Sequence, residues 1–203
     1  MIKIDEIQLY NPGIYRTKIL DDDFTTVKQE LLNEIEKGNL ESGKQNVVGH
    51  IEKILNVKPS NNLKRILTDF IFEYCKNFNF IHKPDHLSIN DTAWINLQKK
   101  YEFNPIHTHP GVLSWILWLQ IPYNLEEELS LPISFDTSSK RTSLLEFSYS
   151  RLDGGKQQFP LFIDKTWEGG MLMFPSDLEH TVYPFYTSDS CRISVSGNIK
   201  LIK

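Results

Sequence analysis

Three histidines are the residues of this sequence best suited to metal chemistry. His107 and His109 form an H-x-H pair in the segment NPIHTHPG, and His180 follows in GGMLMFPSDLEHTVYPF. In an extended chain, residues two apart project from one face, so the first two imidazoles can converge on one ion. An imidazole from a distant strand would complete a facial metal site. The H-x-H pair alone is a weak signal, because it occurs often by chance.

A second group of polar residues lies in the segment CRISVSGNI near the end of the sequence. Polar and apolar side chains alternate there; the polar ones are Arg192, Ser194, Ser196 and Asn198. Such a strand face either contacts solvent or lines a polar cavity, and the fully apolar opposite face favours the cavity. Arg192 suits a carboxylate, since its planar guanidinium donates two parallel charge-assisted hydrogen bonds. Ser194, on the same face, can add a third.

The composition indicates a globular protein of ordinary charge. The chain has 203 residues, of which 40% are hydrophobic and 24% charged, and this length allows a sizeable core. A net charge of −4 argues against a nucleic-acid partner, which usually selects a basic surplus. The most apolar stretch, residues 112–119, is far shorter than the span that a bilayer requires, so no membrane association is expected.

The first ten residues, MIKIDEIQLY, carry charges at Lys3, Asp5 and Glu6. These charges would interrupt the apolar core of a secretion signal. The sequence therefore predicts a cytoplasmic protein.

The elements that must position these residues fall into two parts. Helical spacing of apolar residues predicts a helix over 24–37 that Gly38 ends, a short helix over 51–57, and a helix from Ser60 or Asn61 to about Phe78. Beyond Pro84, short apolar runs predict strands over 92–97, 113–121, 133–135, 144–149, 161–163, 170–174, 180–184 and 192–202. The acidic run 126–128 is interpreted as a solvated loop.

About eight short strands behind a helical part favour a mainly β fold, a sandwich or jelly roll. A parallel α/β arrangement is disfavoured because no helical pattern separates the strands. We expect one domain over residues 1–203, in which a helical part, 1–90, packs on a β core, 91–203.

The order H-x-H … H … R-x-S resembles the Fe(II)/2-oxoglutarate-dependent dioxygenases. The segments HTHPGVLSWILWL, GGMLMFPSDLEHTVYP and CRISVSGNI together are most similar to the 2-oxoglutarate (2OG) oxygenases of bacteriophages and marine bacteria. The resemblance covers roughly residues 93–199 and implies a double-stranded β-helix core, a jelly roll like that of the cupins. It also implies the cofactors Fe(II), 2OG and O₂ and a host-cytoplasm location if a phage encodes the chain.

Carried over by position, the resemblance implies that His107, His109 and His180 bind iron. Arg192 would hold the distal carboxylate of 2OG, assisted by Ser194. Four further residues are candidates for contact with the cosubstrate, the substrate or the pocket wall: Asn96, Gln98, Ser114 and Trp118. The substrate, a small molecule or a peptide, is not identified by any motif.

One position departs from the usual pattern of two histidines and one carboxylate, because His109 stands where the carboxylate is expected. Three neutral imidazoles would leave the site more positive and strengthen the binding of an anionic cosubstrate. Two alternatives stay open. Asp177 or Glu179 supplies a carboxylate, or only two histidines bind the metal.

Two other functions compete with the oxygenase. A cupin-type metalloprotein would need no 2OG. The pair formed by Arg192 and Ser194 argues against this function, because such a protein has no need of residues that bind a carboxylate at that spacing. A non-catalytic jelly-roll module, such as a carbohydrate-binding or virion domain, would have scattered histidines and no metal.

Overall fold

A computed structural model describes residues 13–78 and 80–202 of this chain. The N-terminal segment in which no secretion signal is expected lies outside the described residues. None of the helices in the described ranges has both the length and the apolar character that crossing a bilayer requires.

The two long helices form as predicted. Helix α1 spans Asp21–Lys37 and ends at Gly38, which adopts a left-handed conformation with φ 69°. Three aspartates occupy its first turn, where negative charge interacts favourably with the helix dipole. Helix α2 spans Asn61–Asn77, and the Ser60 side chain caps it by accepting a hydrogen bond from the Leu63 amide at 3.2 Å. A short helix, α3, spans Leu125–Ser130.

The strands form two antiparallel sheets. In chain order they are β1 Tyr15–Lys18, β2 Ile54–Val57, β3 Leu87–Ile89, β4 Ala93–Gln98, β5 Asn104–His107, β6 Leu113–Gln120, β7 Leu144–Ser150, β8 Lys156–Phe162, β9 Gly170–Pro175, β10 Glu179–Val182 and β11 Arg192–Leu201. The larger sheet has the order β1-β9-β6-β11-β4-β2, with β3 also paired to β11, and the smaller sheet has the order β5-β10-β7-β8. The fold is therefore mainly β, as predicted.

Two predicted elements are wrong. Residues 133–135 lie in a turn rather than a strand, with Ile133 62% and Phe135 61% exposed, because this short apolar run pairs with no neighbouring strand. The helix predicted over 51–57 is instead strand β2, whose backbone pairs with β4. A short apolar run is compatible with either element, and here pairing with β4 decides. Every other predicted strand overlaps an observed one, and β1, β3 and β5 were not predicted.

Within the described residues, three strands precede residue 91 and pair with later strands. β1 pairs with β9, β2 with β4 and β3 with β11. Part of the segment predicted as helical, residues 1–90, therefore belongs to the larger sheet. The single-domain assignment of residues 1–203 stays a prediction.

Both faces of the larger sheet carry apolar residues that are buried. One face packs against α1 and α2, so that Leu117 and Val195 share a cluster with Leu31 and Leu67. The other face packs against the smaller sheet, where Trp118 and Phe174 meet Phe147 in a second cluster. Alternation along β6 therefore sends neighbouring residues into different cores. The space between the two sheets is where inward-facing polar residues collect.

The acidic run predicted as a solvated loop contains a buried carboxylate. Glu128, in α3, has no exposed surface. Its carboxylate accepts hydrogen bonds from the Tyr186 amide (2.9 Å), the Thr187 amide (2.7 Å) and the Ser143 hydroxyl (2.8 Å). All three donors are neutral. Glu128 thus connects α3 to the segment before β7 and to the loop after β10. The run of acidic residues in the sequence does not indicate these contacts.

We expect Glu128→Gln to lower the free energy of unfolding by about 3 kcal/mol, since the amide removes a charged acceptor and turns an N–H group toward buried donors. Urea denaturation measures the change. Glu127→Gln is the matched control on the exposed side of α3, and a change within about 0.5 kcal/mol is expected there. Equal effects of the two substitutions would contradict the structural role of Glu128.

Candidate active site

Strand pairing brings three histidines together between the sheets. β10 pairs with β5 so that His180 lies opposite His107, and the ring centroids are 4.3 Å apart. The chain continues past β5 to His109, whose amide donates to the Ser176 carbonyl at 2.9 Å. The His109 ring lies 4.8 Å from His107 and 5.1 Å from His180, centroid to centroid. Their potential ligand nitrogens all lie within 4.8 Å of one another. We call these three residues the histidine cluster.

Hydrogen bonds fix the tautomers of two of the rings. His107 Nδ1 lies 2.7 Å from the Pro105 carbonyl, and His180 Nδ1 lies 2.9 Å from the Leu178 carbonyl. Because a carbonyl only accepts, each Nδ1 carries the proton, and each Nε2 keeps its lone pair for a metal.

Burial keeps the histidine cluster neutral. It lowers the pKa of His107, lowers that of His109 to about 4 and lowers that of His180 to about 3, with a smaller contribution from the neighbouring His107 charge in the last two. Neutral imidazole is the form that binds a metal ion. Three convergent imidazole nitrogens fit Fe(II), among other first-row divalent ions.

The two carboxylates considered as alternative ligands lie differently. Asp177 is exposed, and Glu179 precedes His180 on β10, so its side chain projects from the opposite face of the strand. The group of metal-ligating side chains found in the described residues at this place consists of the histidine cluster without either carboxylate.

Arg192 is a buried cation with neutral partners. Its side chain sits at the start of β11 and only 3% of the residue is exposed. The guanidinium donates to Gln98 Oε1 (2.7 Å from Nη2), to the Tyr123 hydroxyl (3.0 Å) and to the Tyr183 carbonyl (3.0 Å). It also lies 5.6 Å from the ring centroid of Phe185. A buried charge without an ionic partner is costly, so an anion bound here would be stabilised.

One cavity joins the histidine cluster to Arg192. Its internal free volume is about 40 Å³. The remaining predicted site residues also line it: Asn96, Gln98, Ser114, Trp118 and Ser194. The cavity therefore brings together every residue to which the resemblance gives a role.

The smaller polar residues of the cavity are tied to one another. Ser194 Oγ accepts a hydrogen bond from Asn96 Nδ2 at 3.4 Å. Ser114 Oγ donates to Asn198 Oδ1 at 2.9 Å and lies 3.0 Å from Ser176 Oγ. Ser114 is thus part of a buried hydroxyl and amide cluster within the cavity wall.

Sequence reasoning missed the acceptors of Arg192 other than Gln98. Tyr123 follows β6 in the segment IPYN, and its aromatic side chain carries no pattern that distinguishes it from a core residue. The Tyr183 carbonyl and the more distant Ser143 carbonyl, 3.5 Å from Nη1, belong to the backbone and depend only on the fold. Several cavity-lining residues also had no signal: Asn104, Leu145, Ile163 and Val182.

A comparison with protein families gives one match. Residues 92–198, more than half of the chain, match a family model described as "Putative 2OG-Fe(II) oxygenase". The matched segment contains the histidine cluster and Arg192. No curated protein sequence matches the chain.

Solved structures of similar fold include a Pseudomonas putida prolyl-4-hydroxylase, with a TM-score of 0.58, 12% identity and 94% of each chain covered. The non-heme alpha ketoglutarate dependent carbocyclase SnoK from nogalamycin biosynthesis has a TM-score of 0.56 and 10% identity over 91% of this chain and 78% of its own. OsALKBH1 has a TM-score of 0.51 and 13% identity over 94% of this chain and 100% of its own. At these identities the likeness concerns the fold, and it confirms the predicted double-stranded β-helix.

Proposed function

This chain belongs to the 2OG-Fe(II) oxygenases, and we propose that it binds Fe(II) through the histidine cluster and 2OG through Arg192. The family's cofactors are Fe(II), 2OG and O₂. Membership excludes the two competing functions, a cupin that needs no 2OG and a jelly-roll module without catalysis. The proposed reaction is hydroxylation of a small molecule or a peptide.

The proposal rests on one observation, a single cavity with metal-ligating nitrogens and a buried cation. The histidine cluster supplies three neutral donors, and Arg192 supplies the positive charge. 2OG carries a carboxylate at each end, so one molecule can satisfy both features at once. No carboxylate side chain is among the hydrogen-bond partners of Arg192 given by the structure.

When bound, the iron supplies the redox chemistry that couples decarboxylation of 2OG to oxidation of the substrate. The chain's own residues orient the reactants. The Pro105 and Leu178 carbonyls hold the planes of two ligand rings through their Nδ1–H groups. Arg192 and Ser194 hold a carboxylate, and the apolar wall that includes Trp118 keeps water from the reacting groups.

Three imidazoles give this site one negative charge fewer than two histidines and a carboxylate would. The missing charge strengthens the attraction for a doubly anionic cosubstrate. A carboxylate ligand from Asp177 or Glu179 is less favourable, because the first is exposed and the second projects from the other face of β10. The cytoplasmic location and a bacteriophage origin stay predictions.

We expect His107→Ala, His109→Ala and His180→Ala each to weaken Fe(II) binding by roughly a hundredfold, since each removes a ligand. Anaerobic calorimetric titration with Fe(II) measures the affinity. His86→Ala, at an exposed position before β3, is the control and leaves it unchanged. If His109→Ala binds Fe(II) normally while Glu179→Gln does not, the carboxylate alternative replaces the three-histidine site.

Substitution of Arg192 tests the anion site separately. In the Fe(II)-loaded, oxygen-free protein we expect Arg192→Met to weaken 2OG binding by roughly a hundredfold, because a desolvated charge partner is lost. Fe(II) affinity stays at the wild-type value. Arg65→Met, which removes an exposed ion pair with Asp23, is the control. Wild-type affinity for 2OG in Arg192→Met would contradict the assignment.

A further inference from the structure

Every donor of the Arg192 guanidinium is already engaged. A guanidinium has five N–H groups. Two of them point to Gln98 Oε1, from Nε at 3.2 Å and from Nη2 at 2.7 Å. The second Nη2 hydrogen is taken by the Tyr183 carbonyl, and the Nη1 hydrogens are taken by the Tyr123 hydroxyl and the Ser143 carbonyl. An anion can therefore reach Arg192 only by replacing one of these acceptors.

Three of the acceptors belong to fixed parts of the fold. The Tyr183 and Ser143 carbonyls belong to two backbone segments that a hydrogen bond joins. In that bond the Ser143 amide donates to the Pro184 carbonyl at 2.8 Å. The Tyr123 hydroxyl also donates to the Ile163 carbonyl at 2.9 Å. Its ring is buried and stacked on Phe185, with centroids 5.0 Å apart. Movement of any of these groups would break backbone or buried contacts of the fold.

Gln98 is the acceptor that can leave. It is a buried side chain at the end of β4 that lines the cavity, and its amide nitrogen donates one hydrogen bond, to the Glu102 carbonyl. Rotation about its side-chain bonds would withdraw the oxygen and break no backbone pairing.

Gln98 also occupies the place that a carboxylate would prefer. Its oxygen bridges Nε and Nη2, the side edge of the guanidinium that donates two parallel hydrogen bonds to a bound carboxylate. A carboxylate accepts one hydrogen bond on each of its oxygens along this edge and adds an ionic attraction that the neutral amide lacks, so it can displace the amide.

We propose that Gln98 is an internal competitor of 2OG, which occupies Arg192 in the cosubstrate-free protein and is displaced when the distal carboxylate binds. The inference rests on the proposed function of Arg192 and differs from the expectation that Gln98 contacts the cosubstrate or the substrate. Because only the fraction of molecules with Gln98 withdrawn can bind, the apparent dissociation constant for 2OG is raised by the reciprocal of that fraction. Gln98 thereby sets the 2OG concentration at which the enzyme works.

Two near-isosteric substitutions should act in opposite directions. Gln98→Met keeps the length of the side chain and removes the acceptor, so the dissociation constant for 2OG falls roughly tenfold while the cosubstrate-free protein melts at a lower temperature. Gln98→Glu gives Arg192 a permanent ionic partner, so the dissociation constant rises roughly a hundredfold and the melting temperature does not fall.

The experiment is calorimetric titration of the Fe(II)-loaded, oxygen-free protein with 2OG, together with the melting temperature without 2OG. The matched controls are Gln120→Met and Gln120→Glu. Gln120 lies on the other neighbour of β11 and donates to the Cys191 carbonyl, next to Arg192 in sequence, without contacting the guanidinium. Both controls retain the wild-type affinity for 2OG, and all four variants retain the affinity for Fe(II).

Weaker 2OG binding in Gln98→Met would overturn the inference, since Gln98 would then assist the cosubstrate. Unchanged binding in both Gln98 variants, with weakened binding in Arg192→Met, would also overturn it and leave the proposed function intact. Unchanged binding in Arg192→Met would instead refute the proposed anion site. Should Gln98→Met fail to fold, Gln98→Glu decides alone, because tight 2OG binding in that variant contradicts displacement.

Discussion

In the middle of the larger sheet, β11 pairs with β4 on one side and with β6 on the other, and this register determines what enters the cavity. Arg192 lies opposite Gln98, and Ser194 lies opposite Asn96 on β4. A slip of one residue would turn Arg192 toward the apolar cluster under the helices and bring Ile193 into the cavity. The apolar residues that alternate with the polar ones oppose such a slip, because each is buried against α1 and α2 or their neighbours.

The cavity contains one site suited to a cation and one suited to an anion. Burial keeps the histidine cluster neutral, so its nitrogens hold lone pairs without protons, and Arg192 is a cation whose hydrogen-bond acceptors are all uncharged. A divalent metal satisfies the first and a carboxylate satisfies the second. A dianionic cosubstrate that reaches both sites balances the charge of the metal and of the guanidinium together. The proposed displacement of Gln98 costs free energy and therefore lowers the affinity for the cosubstrate.

The parts of the site that could be predicted are those with a short sequence signature. The alternation around Arg192 follows from strand geometry. The H-x-H spacing is visible in the sequence as well, although His109 lies just past the end of β5. Glu128 and Tyr123 act through partners distant in the chain, and no local sequence pattern marks those partners. The sequence predicts a helix where strand β2 lies, because a short apolar run is compatible with either element. Pairing with β4 makes it a strand.

Anaerobic absorption spectroscopy of the protein with Fe(II) and 2OG tests most directly whether the histidine cluster and Arg192 form one cosubstrate site. We expect a weak visible charge-transfer band that requires both Fe(II) and 2OG and that needs far more 2OG in Arg192→Met. Iron that binds to the histidine cluster without producing such a band at any 2OG concentration would contradict the shared site.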